Sequence, residues 1–263
     1  MLLRTEKLTK SFGGLVALNA IDFSIASGEV VGIIGPNGSG KTTFFNVLSG
    51  VLPATGGKIL FKDQDVTFHK AHRMTSHGMA RTFQNIRLFQ NLTAGDNIVL
   101  GRFSRTSSGL LDGVLRSRRL RSEERDNRDK AAELLDFVGV SQYKDSLARN
   151  LPYGAQRRLE IARALASEPA LLMFDEPAAG MNPKEVDELL SLIAKLKSQG
   201  VTILLIEHQM RLVMGIAERV VVFDHGVKIA EGVPQVVRQD PAVIEAYLGV
   251  EGHRFVRRKS NQR

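Results

Sequence analysis

The amino-acid sequence predicts an α/β domain with a mainly parallel sheet, and three observations carry that expectation. Short β-type runs alternate with helical patterns through most of the chain. One such run, Glu29–Ile34 (EVVGII), leads straight into a Gly-rich turn and a helix-like stretch. Two further runs, Ala170–Phe174 and Val201–Ile206, are short and, Thr202 apart, apolar, as buried strands are. At 263 residues the chain is long enough for one large domain, or one domain with a small subdomain, around a sizeable core.

Taken in order, the first run ends at Gly35, and the helix expected over Thr42–Ser49 stops at Gly50. Gly101–Gly113 is rich in glycine and serine and reads as a mobile loop. Glu123–Val138 is long, polar and rich in helix formers, which places a helical subdomain between the first two strand runs. After Ala170–Phe174 comes the clearest helix: Asn182 as its N-cap, Pro183 at the first position and Glu185 completing a box-like start. Val186, Leu189, Leu190, Ile193 and Leu196 then recur at helical spacing until Gly200. A last helix is expected over Pro241–Leu248, with Asp240 before it and Gly249 after it.

Composition narrows the function classes. There is no cysteine, which excludes disulfides, thiolate metal sites and cysteine nucleophiles. No apolar run approaches the roughly 20 residues of a spanning helix, and MLLRTEK lacks the apolar core of a signal peptide, so a cytosolic location is expected. The net charge is +8, with one concentration in the tail at Arg254, Arg257, Arg258, Lys259 and Arg263. That tail, 251–263, reads as disordered. A second basic cluster around Arg116–Lys130 is interleaved with Glu123, Glu124, Asp126 and Asp129 and reads as a solvated helix face. No aromatic residues stand among these charges to stack on bases, so nucleic acid is not an expected partner.

Two motifs carry chemistry. Gly35–Thr42 (GPNGSGKT) fits the phosphate-loop pattern GxxxxGK[ST]. Glycines there let the backbone close on phosphate oxygens and present a row of N–H donors at the positive end of the next helix. Gly35, Asn37, Gly38, Ser39, Gly40, Lys41, Thr42 and Thr43 are the expected nucleotide contacts. Lys41 reaches the β and γ phosphates, and Thr42 offers its hydroxyl to Mg²⁺. The second motif sets Asp175 and Glu176 at the end of an apolar run. Asp175 is the expected Mg²⁺ ligand, and Glu176 the base that deprotonates the attacking water.

Around these motifs the chain resembles the ATP-binding-cassette ATPases from Leu2 to about Gly249. Leu151-Pro152-Tyr153-Gly154-Ala155-Gln156, followed by RRLEIARAL, resembles their signature motif. Gln84 in RTFQNIRLF resembles their Q-loop, Asn182 ends a stretch like their D-loop, His208 in LLIEHQM resembles their switch histidine, and Phe12 in KSFGG the aromatic that stacks on adenine. The resemblance implies a P-loop NTPase cassette over 1–250, with a mainly parallel sheet core, a small N-terminal antiparallel β subdomain and an inserted helical subdomain over about 85–165. It implies ATP and Mg²⁺ as cofactors, with Thr42, Gln84 and Asp175 at the metal, and Glu176, His208 and Gln84 as catalytic residues. It also gives Phe12, Tyr153, Gly154 and Gln156 to nucleotide binding, the signature residues by way of a second cassette packed head to tail. Two positions depart from the commonest pattern. Pro152 replaces a serine whose hydroxyl helps hold the γ phosphate, and Asn182 replaces a more frequent aspartate.

The YGxQRRLEIARAL signature, EPAAGMNP, the Gly101–Lys130 insertion, EHQMRLVMGIAERV and DPAVIEAYLG are similar to the G-type ATP-binding subunit of bacterial branched-chain amino acid importers. This implies a peripheral protein at the cytoplasmic face of the inner membrane, acting with a second, distinct cassette, two permease subunits and, indirectly, a solute-binding protein. Docking to the permease is expected near Gln84 and the helical subdomain, with Leu88 and Phe89 as exposed apolar positions. Cassettes of amide or urea uptake and of lipopolysaccharide export are alternatives, as is a soluble nucleic-acid-associated cassette ATPase.

Overall fold

A computed structural model describes residues 1–105 and 118–247. The tail over 251–263, the end of the last helix at Leu248 and Gly249, and the Gly101–Gly113 segment beyond Arg105 lie outside the described residues. The chain divides into two compact units, Met1–Ala71 with Ile193–Arg263, and His72–Leu192.

The first unit opens with a hairpin of β1 (Leu3–Phe12) and β2 (Leu15–Ile25), paired from Leu3↔Ile25 to Phe12↔Leu15. On the other side of β1 lie β4 (Gly56–Phe61) and then β5 (Gln64–Asp65), giving an antiparallel order β2-β1-β4-β5. Burial along β1 alternates but changes parity, from Leu3 and Thr5 to Leu8 and Lys10. The cause is a bulge: the register shifts there, and Lys7 takes a φ of 47° with its N–H donated to Asp22 Oδ1 at 2.7 Å.

The same unit holds β3 (Val30–Ile34), flanked in parallel by β8 (Thr202–Ile206) and β9 (Arg219–Asp224), with β10 (Val227–Gly232) antiparallel beyond β9. All five residues of β3 and of β8 are buried, which is why these segments do not alternate; the one polar residue, Thr202, accepts the Gly28 N–H at 2.9 Å. Helix α1 (Lys41–Leu48) sets Phe44 edge-on between Phe23 and Phe223, with centroids 5.5 and 5.2 Å away. A second cluster gathers Ile34 with Val213, Val220, Val222, Val237 and Val243. It brings in α7 (Met210–Ile216), α8 (Pro234–Val237) and α9, a helix over 241–247.

The second unit pairs β6 (Met79–Arg81) in parallel with β7 (Leu171–Asp175) in the register Arg81↔Met173. Its helices are α3 (Ala94–Gly101), α4 (Arg118–Phe137) and α5 (Tyr153–Leu165). Thr93 caps α3 by accepting the Asp96 N–H at 3.0 Å. Buried Asn97 folds the preceding loop: its amide accepts from Phe89 N–H at 2.9 Å and donates to the carbonyls of Phe89 and Thr93. Helix α2 (Ala71–His77) and helix α6 (Pro183–Ser198) each contain a division point between the units. The start of α6 forms the expected box, Asn182 N–H to Glu185 Oε2 at 2.9 Å and Glu185 N–H to Asn182 Oδ1 at 3.1 Å.

Two expectations need correction. Gly101 does not open a loop; it ends α3, and Arg102–Arg105 continue as a 3₁₀ turn. Arg102 is fixed to Glu168 and Asn127, and Arg105 to the carbonyls of Ser167 and Glu168, so glycine here serves packing rather than freedom. A Cβ on Gly101 would stand 2.4 Å from the Arg163 carbonyl oxygen. Leu88, expected at the surface, is buried, while its neighbour Phe89 is 52% exposed. Gly101→Ala should therefore force α3 away from α5 and cost about 1–3 kcal/mol. Urea unfolding of the full chain measures it, and an unchanged midpoint would show that this contact yields freely.

Candidate active site

In the first unit, the turn between Ile34 and Lys41 is shaped by what surrounds it. Gly35 has a φ of 147°, and a Cβ there would lie 2.1 Å from the Phe223 carbonyl oxygen. Gly40 has a φ of 102°, and its Cβ would meet the Ala17 carbonyl oxygen at 2.7 Å. Only glycine fits either place. The Gly226 N–H donates to Ser39 O at 3.1 Å, and Asn19 N–H to Gly226 O at 2.8 Å, so β2 and the β9–β10 turn brace the loop. Lys41 is buried, and its ammonium donates to Gly35 O at 2.8 Å and Pro36 O at 2.9 Å. Asn37, Gly38 and Thr42 face solvent at the start of α1, while Ser39 is buried and Thr43 half-buried. Backbone donors, one cation and a hydroxyl at a helix N-terminus have the chemistry to receive a phosphate.

Two more expected residues belong to this unit. Phe12, at the end of β1, is 45% exposed, with the Lys10 ammonium 4.9 Å from its ring centroid. It is therefore not a core residue and keeps ring surface for a base. His208 is exposed just past β8. Its backbone is held by a residue that the sequence reading passed over: the buried Glu207 carboxylate accepts the N–H groups of His208 at 3.1 Å and Gln209 at 3.2 Å. An acid closing an apolar strand was the available signal.

The second unit collects the acids. Asp175 ends β7 and is buried; Glu176 follows with a φ of 48°, a left-handed conformation that turns the chain sharply out of the strand. Gln84 donates its amide N–H to Glu176 Oε2 at 2.7 Å, so the structure brings together two residues that the sequence places 92 positions apart. Three residues earlier, Arg81 donates to Asp175 Oδ2 at 2.6 Å, with both side chains 6% exposed. Arg81 was also missed. Its signal was the basic residue that opens RTFQ, directly after the apolar Met79 and Ala80. Tyr153 begins α5, and its hydroxyl donates to Ala179 O at 2.8 Å while its ring lies against Gly180. Gly154 packs on Glu185, whose carboxylate oxygen would be 2.4 Å from a Cβ. Gln156 turns back to donate to Leu151 O at 2.9 Å, an internal contact.

Residues 18–179 match the family model described as ABC transporter, a span that holds both the phosphate loop and the acid pair. The chain belongs to the ATP-binding cassette transporter family. Residues 227–253 match a second model, described as branched-chain amino acid ATP-binding cassette transporter. The chain is 44% identical over 249 residues to the high-affinity branched-chain amino acid transport ATP-binding protein BraF of Pseudomonas aeruginosa, covering 94% of this chain and 98% of that protein. The figures are the same for the protein of that description named LivG in Escherichia coli K12. Among solved structures, a nucleotide-free cassette from an ABC transporter superposes with a TM-score of 0.81 at 34% identity, covering 94% of this chain and 98% of that one. The ADP conformation of an ABC transporter cassette also gives 0.81, at 32% identity with the same coverage. The chain is a nucleotide-binding, ATP-hydrolysing cassette with the fold expected of it.

Each unit carries oxygen donors by itself: the Thr42 hydroxyl in the first, and the Asp175 carboxylate and the Gln84 amide oxygen in the second. All three are hard oxygen donors, the ligand type that Mg²⁺ takes. In Asp175 one carboxylate oxygen is engaged by Arg81. Lys41→Ala removes the one ammonium that the phosphate loop positions. Loss of a charge-assisted hydrogen bond predicts nucleotide affinity weaker by roughly ten- to a hundredfold, with the fold intact. Calorimetric titration with ATP tests this, and wild-type affinity would remove Lys41 from the receptor.

Proposed function

We propose that this cassette is the ATP-hydrolysing subunit of an importer for branched-chain amino acids, peripheral to the cytoplasmic face of the inner membrane. The observation that carries the substrate class is the match of residues 227–253, outside the general cassette span, to the branched-chain amino acid model. The 44% identity to BraF and LivG over nearly the whole chain supports it.

The residues divide the work. Phe12 stacks on the adenine ring. The N–H groups of Gly35 and of Asn37 to Thr43, together with the Lys41 ammonium, hold the phosphates and neutralise part of their charge. Thr42, Asp175 and Gln84 would offer oxygen donors to Mg²⁺, which when bound would add charge neutralisation to the phosphates. Gln84 and Glu176 place the attacking water. The Glu176 carboxylate takes a proton from that water as its oxygen bonds to the γ phosphorus. The bond from that phosphorus to the β–γ bridging oxygen breaks, and ADP and inorganic phosphate leave. His208 donates a hydrogen bond to a γ oxygen. Tyr153 and Gly154, at the start of α5, serve the nucleotide held by the facing cassette; Gln156, expected beside them, spends its backbone N–H on Pro152 O and its amide N–H on Leu151 O. With Pro152 at the N-cap and no side-chain cap there, backbone N–H groups and the helix end bear that contact.

ATP-driven closure of two cassettes moves two permease subunits, which receive solute from an external binding protein. The facing cassette is a distinct chain. Phe89, exposed beside the Gln84 segment, belongs to the permease-docking surface.

Membranes from the source cell, solubilised in mild detergent, should yield two polytopic permeases and a second cassette bound to this chain. Nucleic acid or ribosomal proteins in their place would overturn the transporter reading and leave the ATPase standing. Glu176→Gln should lower phosphate release about a hundredfold or more while an ATP-bound cassette pair accumulates on gel filtration. Turnover at the wild-type rate would remove Glu176 as the base. Phe89→Asp should abolish uptake and leave ATP affinity unchanged; full uptake would place docking elsewhere.

A further inference from the structure

Arg157 lies one turn into α5, and both it and Glu160 are completely buried. Its Nη1 donates to Phe83 O at 2.6 Å and to Glu160 Oε2 at 2.9 Å. Its Nη2 donates to Gln84 O at 2.6 Å and reaches the Tyr153 hydroxyl at 3.3 Å. The other oxygen of Glu160 accepts the Arg87 N–H at 3.0 Å. The pair thus grips the chain at Phe83, Gln84 and Arg87, while the Gln84 side chain, from the same residue, bonds Glu176. Tyr153, from the same helix start, bonds Ala179 on the far side of Glu176.

A buried ion pair is a poor source of stability, because both charges lose their hydration. Burial pushes the Glu160 carboxyl above its ordinary range against the opposing Arg87 N–H and Arg157 charge, so the pair is held at a cost. What it secures is geometry: a planar fork can bind two successive carbonyls at once, which an ammonium cannot do in the same orientation.

We propose that Arg157 is a positioning residue for hydrolysis, fastening the start of the signature helix to the backbone of Gln84 and so fixing the side chain that orients Glu176. The role rests on the reading of Gln84 and Glu176 as the groups that place and deprotonate water. Orientation of the nucleophile then depends on where α5 stands, although Arg157 touches neither nucleotide nor water.

The test is Arg157→Lys in the full chain, assembled with its membrane partners. Lysine keeps the charge beside Glu160 and loses the fork. The expected kcat falls between about ten- and a hundredfold, with KM for ATP within about twofold of wild type. Hydrogen exchange of the amides over 83–88 should quicken, with the thermal midpoint little changed. Wild-type kcat, or a loss of kcat matched by a rise in KM with no change in exchange over 83–88, overturns the proposal. If the lysine variant does not fold, Arg157→Met combined with Glu160→Met replaces the pair by apolar side chains and should give the same kinetic and exchange pattern. Failure of both to fold assigns the pair to the fold alone and overturns the role. Glu176→Gln, run alongside, separates the two readings. Wild-type turnover there sinks the base assignment, whereas its loss together with an unaffected Arg157→Lys sinks only the present one.

Discussion

Everything the first unit does with a nucleotide depends on two places where backbone carbonyls occupy the space of a side chain. The Phe223 carbonyl stands against Gly35 and the Ala17 carbonyl against Gly40. The phosphate loop therefore passes between β2 and β9 where only glycine fits. That requirement explains the apolar strands around it. β3 must end at Ile34, and β9 must run parallel to it so that Phe223 arrives beside Gly35. The hairpin must also bring Ala17 up to Gly40. The aromatic cluster of Phe23, Phe44 and Phe223 ties these same strands to α1. Core packing and loop geometry are thus one problem, solved by the same residues.

The second unit faces the opposite difficulty. Its functional groups are long side chains on segments distant in sequence, and each needs a partner to hold it still. Gln84 holds Glu176 and Arg81 holds Asp175, Arg81 from the last residue of β6 and Gln84 from the segment just after it, both at the end of β7. The pairing of β6 with β7 supplies the register that makes both contacts possible, with Arg81 opposite Met173. Hydrogen bonds between long side chains, one of them an ion pair, organise this unit.

This contrast governs what could be read from the sequence. Strands buried on both faces announced themselves as apolar runs, and Val30–Ile34, Leu171–Asp175 and Thr202–Ile206 lie within a residue of their expected bounds. The phosphate loop, the acid pair and the box at Asn182 were legible because their chemistry is local, confined to a few consecutive residues. The N-terminal sheet came only through family resemblance, since a bulge at Lys7 breaks the alternation that marks a strand. Gly101 read as loop because composition cannot distinguish a glycine that permits motion from one that permits close approach. Leu88 read as surface because nothing in its neighbours reveals burial. Arg81 and Glu207 were illegible for a shared reason: a charged residue in an apolar run declares itself a partner, but the partner is tertiary.

The resting contacts of Lys41 bear on how nucleotide is received. Its ammonium already donates to two carbonyls of its own loop, so the charge is never without acceptors. Taking up a phosphate replaces one set of oxygens with another around a cation that has already left bulk water. The contribution of Lys41 to binding is then the difference between those two sets, and most of the dehydration of its ammonium belongs to folding.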